Sequence, residues 1–596
     1  MMDQMETSAL MPDRQRVGYS AALPLTFLDT VGLFMPASAV AQDIAVLIAS
    51  PWGLEEMCTR KLWRVMAEKL ADVGIASLRF DYPGTGDALD RDDFAGGLSL
   101  WEDSLVIAAE RLQTKSGCKR VIIVSHGVGA IVASRAAPRI PALDAIIYMA
   151  PAVSGRAYLR ETQMWSKLVD EGLGLSEAQR ISEGVAIAGL ILPGAIASDI
   201  RKIDLLAVGE KPSQTCLVVA RPDRPSDDGF ARHLEALGAD VSGLAYTGYD
   251  ELVTNPSISR IPDAVVAGTT TWIAARGRPL ESDHPPLSEN IVVPLLGDGY
   301  RETPVRFGDH QRLFGILSEP LGHRDGATVL LLGTAYDRHA GWGLSGVGMA
   351  RALAASGIAS LRFDGANVGD SPPVPGRSDQ VLFDGDQNND VSEAVDFLET
   401  RRLLPAVVSG RCSGGYLAFN SAVNDPRLRG AVVVNPYVFI WDPRRDVTAA
   451  LRFVPRTLGT YKARLFKAET FQRLRHGRID VGNAMKNIVK ALCNRVSRFT
   501  GPLPVVMPVE YAVGRKVQAV FEKLAERKTA VSLIYSANDV GLEHFSLHFR
   551  SDGSRLKRFS NVRLTVIENA DHNLSPASAR KTYLDTVRDM ALSTRT

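Results

Sequence analysis

The stretch Gly410-Arg411-Cys412-Ser413-Gly414 sets a thiol between two glycines. It lies where an apolar run from Pro405 to Val408 ends and a helix-like segment near Gly415 begins. A strand that passes into a helix through a sharp turn exposes the residue at its tip and leaves no room for side chains two positions to either side. With Cys412 at the tip, Gly410 and Gly414 meet that requirement; with Ser413 at the tip, Arg411 would clash. Cys412 is therefore the expected nucleophile. The Ser413 backbone N–H is expected to donate to the oxyanion that forms when a thiolate attacks a carbonyl.

This turn resembles the G-x-S-x-G nucleophile elbow of the α/β-hydrolases, with Cys in place of Ser. That fold supplies its triad in the order nucleophile, acid, histidine. Val531 to Ser536 reads as a strand and is followed by Ala537-Asn538-Asp539-Val540-Gly541, which puts Asp539 on a loop. Val562 to Ile567 alternates like a further strand, and Glu568-Asn569-Ala570-Asp571-His572 follows it. The expected triad is Cys412, Asp539 and His572: His572 takes the thiol proton, and Asp539 fixes the tautomer and orientation of the imidazole. The resemblance implies a second oxyanion donor on the loop Leu332-Gly333-Thr334-Ala335-Tyr336, from the N–H of Thr334 or Ala335.

The elements that must position these residues occur twice. Gly74-Ile75-Ala76-Ser77-Leu78-Arg79-Phe80-Asp81 recurs unchanged as Gly357 to Asp364, and Gly86-Asp87 matches Gly369-Asp370. Each copy has an apolar strand before it (Ile44 to Ile48; Thr328 to Leu332), then a loop and a helical stretch. Alternating strands and helices predict an α/β chain of two tandem domains with mostly parallel sheets. The expected organisation is a flexible N-terminus over 1–20, a first domain over 21–275, a linker over 276–288 and a second domain over 289–596. Ala21 to Val40, broken by prolines and a glycine, reads as two short strands rather than a membrane span.

The first copy lacks the chemistry. Its turn, Ser125-His126-Gly127-Val128-Gly129, has Gly127 at the tip, and the acid and histidine positions hold Asp223 and Asp250. Such a domain is expected to have kept the fold and lost the triad, and either to pack on the second domain, to shape its entrance or to bind a ligand.

The first half, with Pro51-Trp52-Gly53-Leu54-Glu55-Glu56 and Phe80-Asp81-Tyr82-Pro83-Gly84-Thr85-Gly86-Asp87, resembles small hydrolases of bacterial exopolysaccharide and exosortase-associated systems. The second half resembles a related group with Cys in the elbow. The resemblance implies, for each domain, an eight-stranded sheet, helices on both faces and a variable cap after strand six.

Hydrophobic residues make up 45% of the 596 and charged residues 23%, with a formal net charge of +1. This ordinary composition gives no reason to expect nucleic-acid binding. The five cysteines are widely spaced, without a metal-ligand pattern or a disulfide framework, which fits a reducing, cytoplasmic setting. The N-terminal stretch lacks the basic and apolar regions of a signal peptide. No cofactor is implied, because the glycines make no dinucleotide fingerprint. Lys and Arg outnumber acids between Asp442 and Lys516. A helical cap there, with Arg473 and Arg475 among its cations, would attract an anionic acyl donor such as coenzyme A, a carrier-protein phosphopantetheine or an acidic glycan.

The expected function is acyl transfer from an ester or thioester through an acyl-cysteine, either to water or to a sugar or other hydroxyl, with bacterial polysaccharide metabolism as the implied setting. The alternative is a non-catalytic scaffold or carbohydrate-binding protein.

Overall fold

The computed structural model describes residues 21–280, 292–447 and 508–594, apart from 92, 182–183, 378, 445 and 551. The expected N-terminal segment, the linker beyond residue 280, Cys493 and the cap residues Arg473 and Arg475 lie outside the described residues.

The first sheet contains β1 (Leu23–Phe27), β2 (Thr30–Met35), β3 (Ile44–Ala49), β4 (Ala76–Phe80), β5 (Arg120–His126) and β6 (Leu143–Met149). A small hairpin, β7 (Val185–Ile187) and β8 (Leu190–Leu192), precedes the last two strands of that sheet, β9 (Thr215–Ala220) and β10 (Asp240–Ala245). The eight strands run in the order β1-β2-β4-β3-β5-β6-β9-β10. The pairs from β4 to β10 are parallel, and the β1 and β2 pairings are antiparallel. Every residue of β3 is buried, which is why Ile44 to Ala49 reads as an unbroken apolar run: a central parallel strand is covered on both faces.

The second sheet repeats this order with one strand added. Its members are β11 (Leu295–Gly297), β12 (Tyr300–Phe307), β13 (Leu313–Pro320), β14 (Thr328–Leu332), β15 (Ser360–Asp364), β16 (Ala406–Arg411), β17 (Leu428–Val434), β18 (Ala530–Ser536) and β19 (Val562–Ile567). They run β11-β12-β13-β15-β14-β16-β17-β18-β19. The extra strand is β11, a three-residue edge piece paired antiparallel with β12.

Residues 276–280 of the expected linker are held against the first domain rather than bridging freely. Leu280 donates its N–H to the Ala41 carbonyl (2.8 Å), and Asp43 donates to the carbonyl of Arg278 (2.8 Å). Among the described residues no helix is long and apolar enough to cross a membrane.

The two domains meet at the repeated motif itself. Val31, Leu33 and Met35 of the first domain share one apolar cluster with Tyr300, Phe314 and Ile316 of the second. Beside it lies a buried ionic lattice with an approximate two-fold exchange. Arg79, in β4, donates to Asp370 (2.8 Å), and its repeat partner Arg362, in β15, donates to Asp87 (3.3 Å). In each copy the aspartate ending the motif takes the N–H of the second: Asp87 to Asp81 and Asp370 to Asp364, both at 2.9 Å. Arg60 adds contacts to Asp81 (2.9 Å) and Asp370 (2.8 Å).

Candidate active site

Strand β16 leads into the helix Ser413–Asn424, two residues earlier than the expected start near Gly415, and Cys412 sits at the junction with φ 57° and ψ −122°. A non-glycine residue in that region costs about 1–3 kcal/mol and persists only where its surroundings enforce it. Here Cys412 donates its N–H to the Val434 carbonyl (2.9 Å), and Tyr416 donates to the Cys412 carbonyl (3.0 Å). The small flanks are obligatory: a Cβ on Gly410 would come within 2.3 Å of the Gly414 carbonyl oxygen, and one on Gly414 within 2.4 Å of the Gly333 oxygen.

The structure brings Cys412, Asp539 and His572 together. His572 Nδ1 donates to Asp539 Oδ2 (2.6 Å), and the His572 ring is hydrogen-bonded to the Cys412 sulfur. Asp539 is the N-cap of the helix Val540–Phe549, so its other oxygen accepts the Gly541 N–H (2.7 Å) and the carboxylate is held by both oxygens. Asn435 was not singled out from the sequence, yet it locks the histidine loop. Fully buried just beyond β17, it donates from Nδ2 to the His572 carbonyl (3.0 Å) and to Ser536 Oγ (3.1 Å). The signal for it in the sequence is slight: a lone amide closing the apolar run Val432-Val433-Val434.

The electrostatics favour an ion pair. Burial opposes ionisation of Cys412, but the charge and hydrogen bond of His572, the charge of Arg411 and the Ser413 N–H bring the thiol below its usual value. Burial likewise opposes the imidazolium, yet the Cys412 charge and hydrogen bonds to Asp539 and Cys412 raise His572 to about 10. Burial moves the other described thiols the opposite way, Cys58 and Cys216 each to about 12 and Cys118 upward. Cys412 is also the one described cysteine that is not fully buried. Iodoacetamide should therefore label Cys412 well before Cys58, Cys118 or Cys216, with a rate that persists below the free-thiol pKa of about 8.5. His572→Ala should slow that labelling, as peptide mapping would report; equal labelling of the described thiols in the native protein would refute the ion pair.

The oxyanion donors separate. The Ser413 N–H points to the Cys412 sulfur. The Ala335 N–H is given to Ser413 Oγ (2.7 Å), so it is already occupied, which corrects the expectation that either loop residue could serve. The Thr334 hydroxyl is turned to the Arg411 carbonyl (3.0 Å). Of the expected backbone donors, this leaves the N–H groups of Ser413 and Thr334 as the candidates for a developing oxyanion. Ser413 itself is buried with its hydroxyl engaged, so it does not compete with Cys412 as nucleophile.

The first domain keeps the shape of the elbow and fills it. Gly127 has φ 53°, close to Cys412, and a Cβ on Gly129 would lie 2.3 Å from the Ala49 oxygen, mirroring Gly414. The space above Gly127 belongs to Glu55, whose Oε2 would be 2.3 Å from a Cβ on that glycine. Tyr249 donates to Glu55 Oε1 (2.9 Å), and burial pushes Glu55 up to about 7 against the charge of Arg221 and that hydrogen bond. Ser125 and His126 are fully buried; Ser125 donates to the Ile147 carbonyl (2.8 Å), and His126 lies 3.1 Å from the Tyr246 hydroxyl. Asp223 and Asp250 are exposed. The tip of this elbow, Gly127, carries no side chain and so offers no nucleophile at the position that Cys412 holds in the second domain.

Residues 52–207 match the family model described as serine aminopeptidase, S33 (Hydrolase_4), a match that falls on the first domain. No curated protein is significantly similar to the chain. Among solved structures, the dienelactone hydrolase of Anabaena variabilis is 14% identical, covering 50% of this chain and 100% of its own, with a TM-score of 0.31. Est1E of Butyrivibrio proteoclasticus with bound ferulic acid is 13% identical (51% and 99% covered, TM-score 0.28). The Pyrococcus furiosus esterase Pf2001 is 16% identical (49% and 92% covered, TM-score 0.30). By its two sheets the chain has the α/β-hydrolase fold in two tandem domains, and its residues 52–207 are similar to the S33 serine aminopeptidase family.

Proposed function

We propose that the second domain is a cysteine-dependent acyl-transfer enzyme acting on an ester or thioester. The observation that carries this reading is the chain of contacts from Asp539 through His572 to Cys412, with the sulfur on a strained elbow. The Cys412 thiolate attacks the acyl carbon, forming a C–S bond and an oxyanion that faces the Ser413 and Thr334 N–H groups. The bond from carbon to the leaving oxygen or sulfur then breaks, and His572 gives that group its proton. In the second half, His572 takes a proton from water or an acceptor hydroxyl, which attacks the acyl-cysteine and frees the thiolate. Two preorganised donors are the main electrostatic aid, each worth roughly 3–4 kcal/mol of barrier.

Two features support an amphipathic, anionic donor. Phe383, stacked on Trp441 (4.3 Å) and edge-on to Tyr416 (4.9 Å), forms an aromatic wall beside the elbow helix. A cavity of about 450 Å³ bordered by Thr334 and Asn573, next to the elbow but not lined by Cys412 or His572, carries Arg411, Arg580 and Lys581 among its described lining residues, with Lys581 paired to Asp585 (2.6 Å). The resemblance to polysaccharide-associated hydrolases favours a sugar hydroxyl as acceptor when transfer wins over hydrolysis. Intact-mass measurement after incubation with a panel of acyl thioesters and esters should reveal one acyl adduct, mapped to Cys412. A panel that yields turnover but never an adduct, even under rapid acid quench, would sink the covalent mechanism.

A further inference from the structure

The loop that follows β14, from Gly333 to Leu344, belongs to the second domain in sequence, but much of what holds it belongs to the first. Its backbone is unusually constrained: Ala335, Gly341, Gly343 and Leu344 all have positive φ, two of them without the freedom of glycine. At its start, the elbow holds it through Ala335 and Thr334. Further along, Arg338 is buried among first-domain acids, donating to Asp87 (2.6 Å), Asp81 (3.2 Å) and Glu56 (3.3 Å). His339 Nε2 lies 2.8 Å from Asp87, while its own domain supplies Asp364, which accepts the His339 N–H (2.6 Å). Trp342 packs against the core of the first domain. The tip of the β7–β8 hairpin reaches the loop so closely that a Cβ on Gly189 would meet Gly343 Cα at 3.1 Å. The histidine loop is touched as well: Gln179 donates to the Asn569 carbonyl (2.7 Å), three residues before His572.

From this we infer that the first domain, whose elbow tip is glycine, is the positioning domain for the second: it clamps the Gly333–Leu344 loop through Arg338, His339 and Trp342 and so sets the oxyanion donor at Thr334. The inference rests on the acyl-transfer reading for its catalytic consequence. Physically, a strained loop has several conformations of similar energy and keeps one only where contacts over-determine it. Arg338 and Trp342 are positioning residues; neither touches the reacting atoms. The thiolate–imidazolium pair is held by contacts that Arg338 and Trp342 do not make: the elbow, Asn435 and Asp539, all within the second domain.

The test uses the full-length chain with Arg338→Lys, which keeps the charge but loses the fork, and Trp342→Ala, which leaves every ion pair intact should the first variant fail to fold. Three readouts are taken: kcat and KM on an activated ester, the Cys412 alkylation rate, and hydrogen exchange of peptides spanning 333–344 and 408–420. Each folded variant should lose about 10- to 100-fold in kcat, with alkylation within about twofold of the parent protein and faster exchange confined to 333–344. Unchanged exchange in 333–344, or kcat within twofold in both variants, overturns the inference. So does alkylation that falls in step with kcat, since that would mean general damage to the site. Absence of parent turnover on any ester overturns the acyl reading instead, and the exchange contrast then decides whether the first domain holds the loop.

Discussion

Cys412→Ala is expected to abolish turnover by the full-length protein, a loss of about 10⁴-fold or more, because no other group in the site can form the acyl intermediate. Ser413 is adjacent, but its hydroxyl is buried and accepts the Ala335 N–H, so it cannot substitute. Adding Gly127→Ser to that variant should restore nothing. Gly127 has the elbow's φ of 53°, so a serine there could adopt the backbone, but its Cβ would press on Glu55, and Asp250 stands where the triad's histidine should be. Steady-state rates on activated esters, with melting curves to verify folding, decide the matter. Residual turnover in Cys412→Ala above that of the double variant Cys412→Ala/His572→Ala would mean that a second nucleophile shares the triad.

The second large effect concerns the seam between the domains. Asp370→Ala should destabilise the chain by about 3–5 kcal/mol, the cost of leaving buried cations without their counter-charge. Asp370 is almost fully buried and is the partner of both Arg79 and Arg60, each at 2.8 Å. Arg79 has no other partner for its two terminal nitrogens among the described residues. Urea unfolding would report the loss; a change below 1 kcal/mol would mean that water enters the seam and screens the lattice.

The same lattice sets a pH window. Despite burial, Arg60, Arg79 and Arg338 hold Asp370 far below the usual carboxylate range, and His339 and Arg338 do the same for Asp87. Their folded pKa values are depressed, so their contribution is complete above the unfolded value of about 3.9 and is lost only as pH falls through the much lower folded values. His339 runs the other way. Against burial, Asp364 and Asp87 raise it to about 9. Its contribution is therefore complete below the unfolded value of about 6.5 and is lost as pH rises through about 9. The seam should hold best between about pH 4 and 6.5 and loosen in alkali, and His339→Gln should remove the alkaline part of that dependence.

How much of this could be read in advance follows from the range of each interaction. The elbow was legible because its demand is local: within five residues the backbone collides with any side chain at 410 or 414, and only a small-flanked tip satisfies it. The placement of Asp539 and His572 was legible because each follows a segment that reads as a strand, Val531 to Ser536 and the alternating Val562 to Ile567, and sheet order carries strand ends to one edge. The pair β1 and β2 and the run Ile44 to Ile48 were legible for the same reason, burial written as composition.

The tertiary structure alone decided the contacts between distant segments. Arg79 and Arg362 are buried inside apolar strands, where a charge needs a counter-charge. Yet a repeat cannot say whether Asp370 serves its own copy or the other, since both are chemically identical choices. The loss of Ala335 as a free donor depends on where Ser413 Oγ points, and the plug over Gly127 depends on where helix Leu54–Asp72 sets Glu55. Local sterics and burial patterns belong to the sequence by itself. Which acid meets which base across two domains is settled only when the chain packs, because that choice is made by geometry in which sequence separation plays no part.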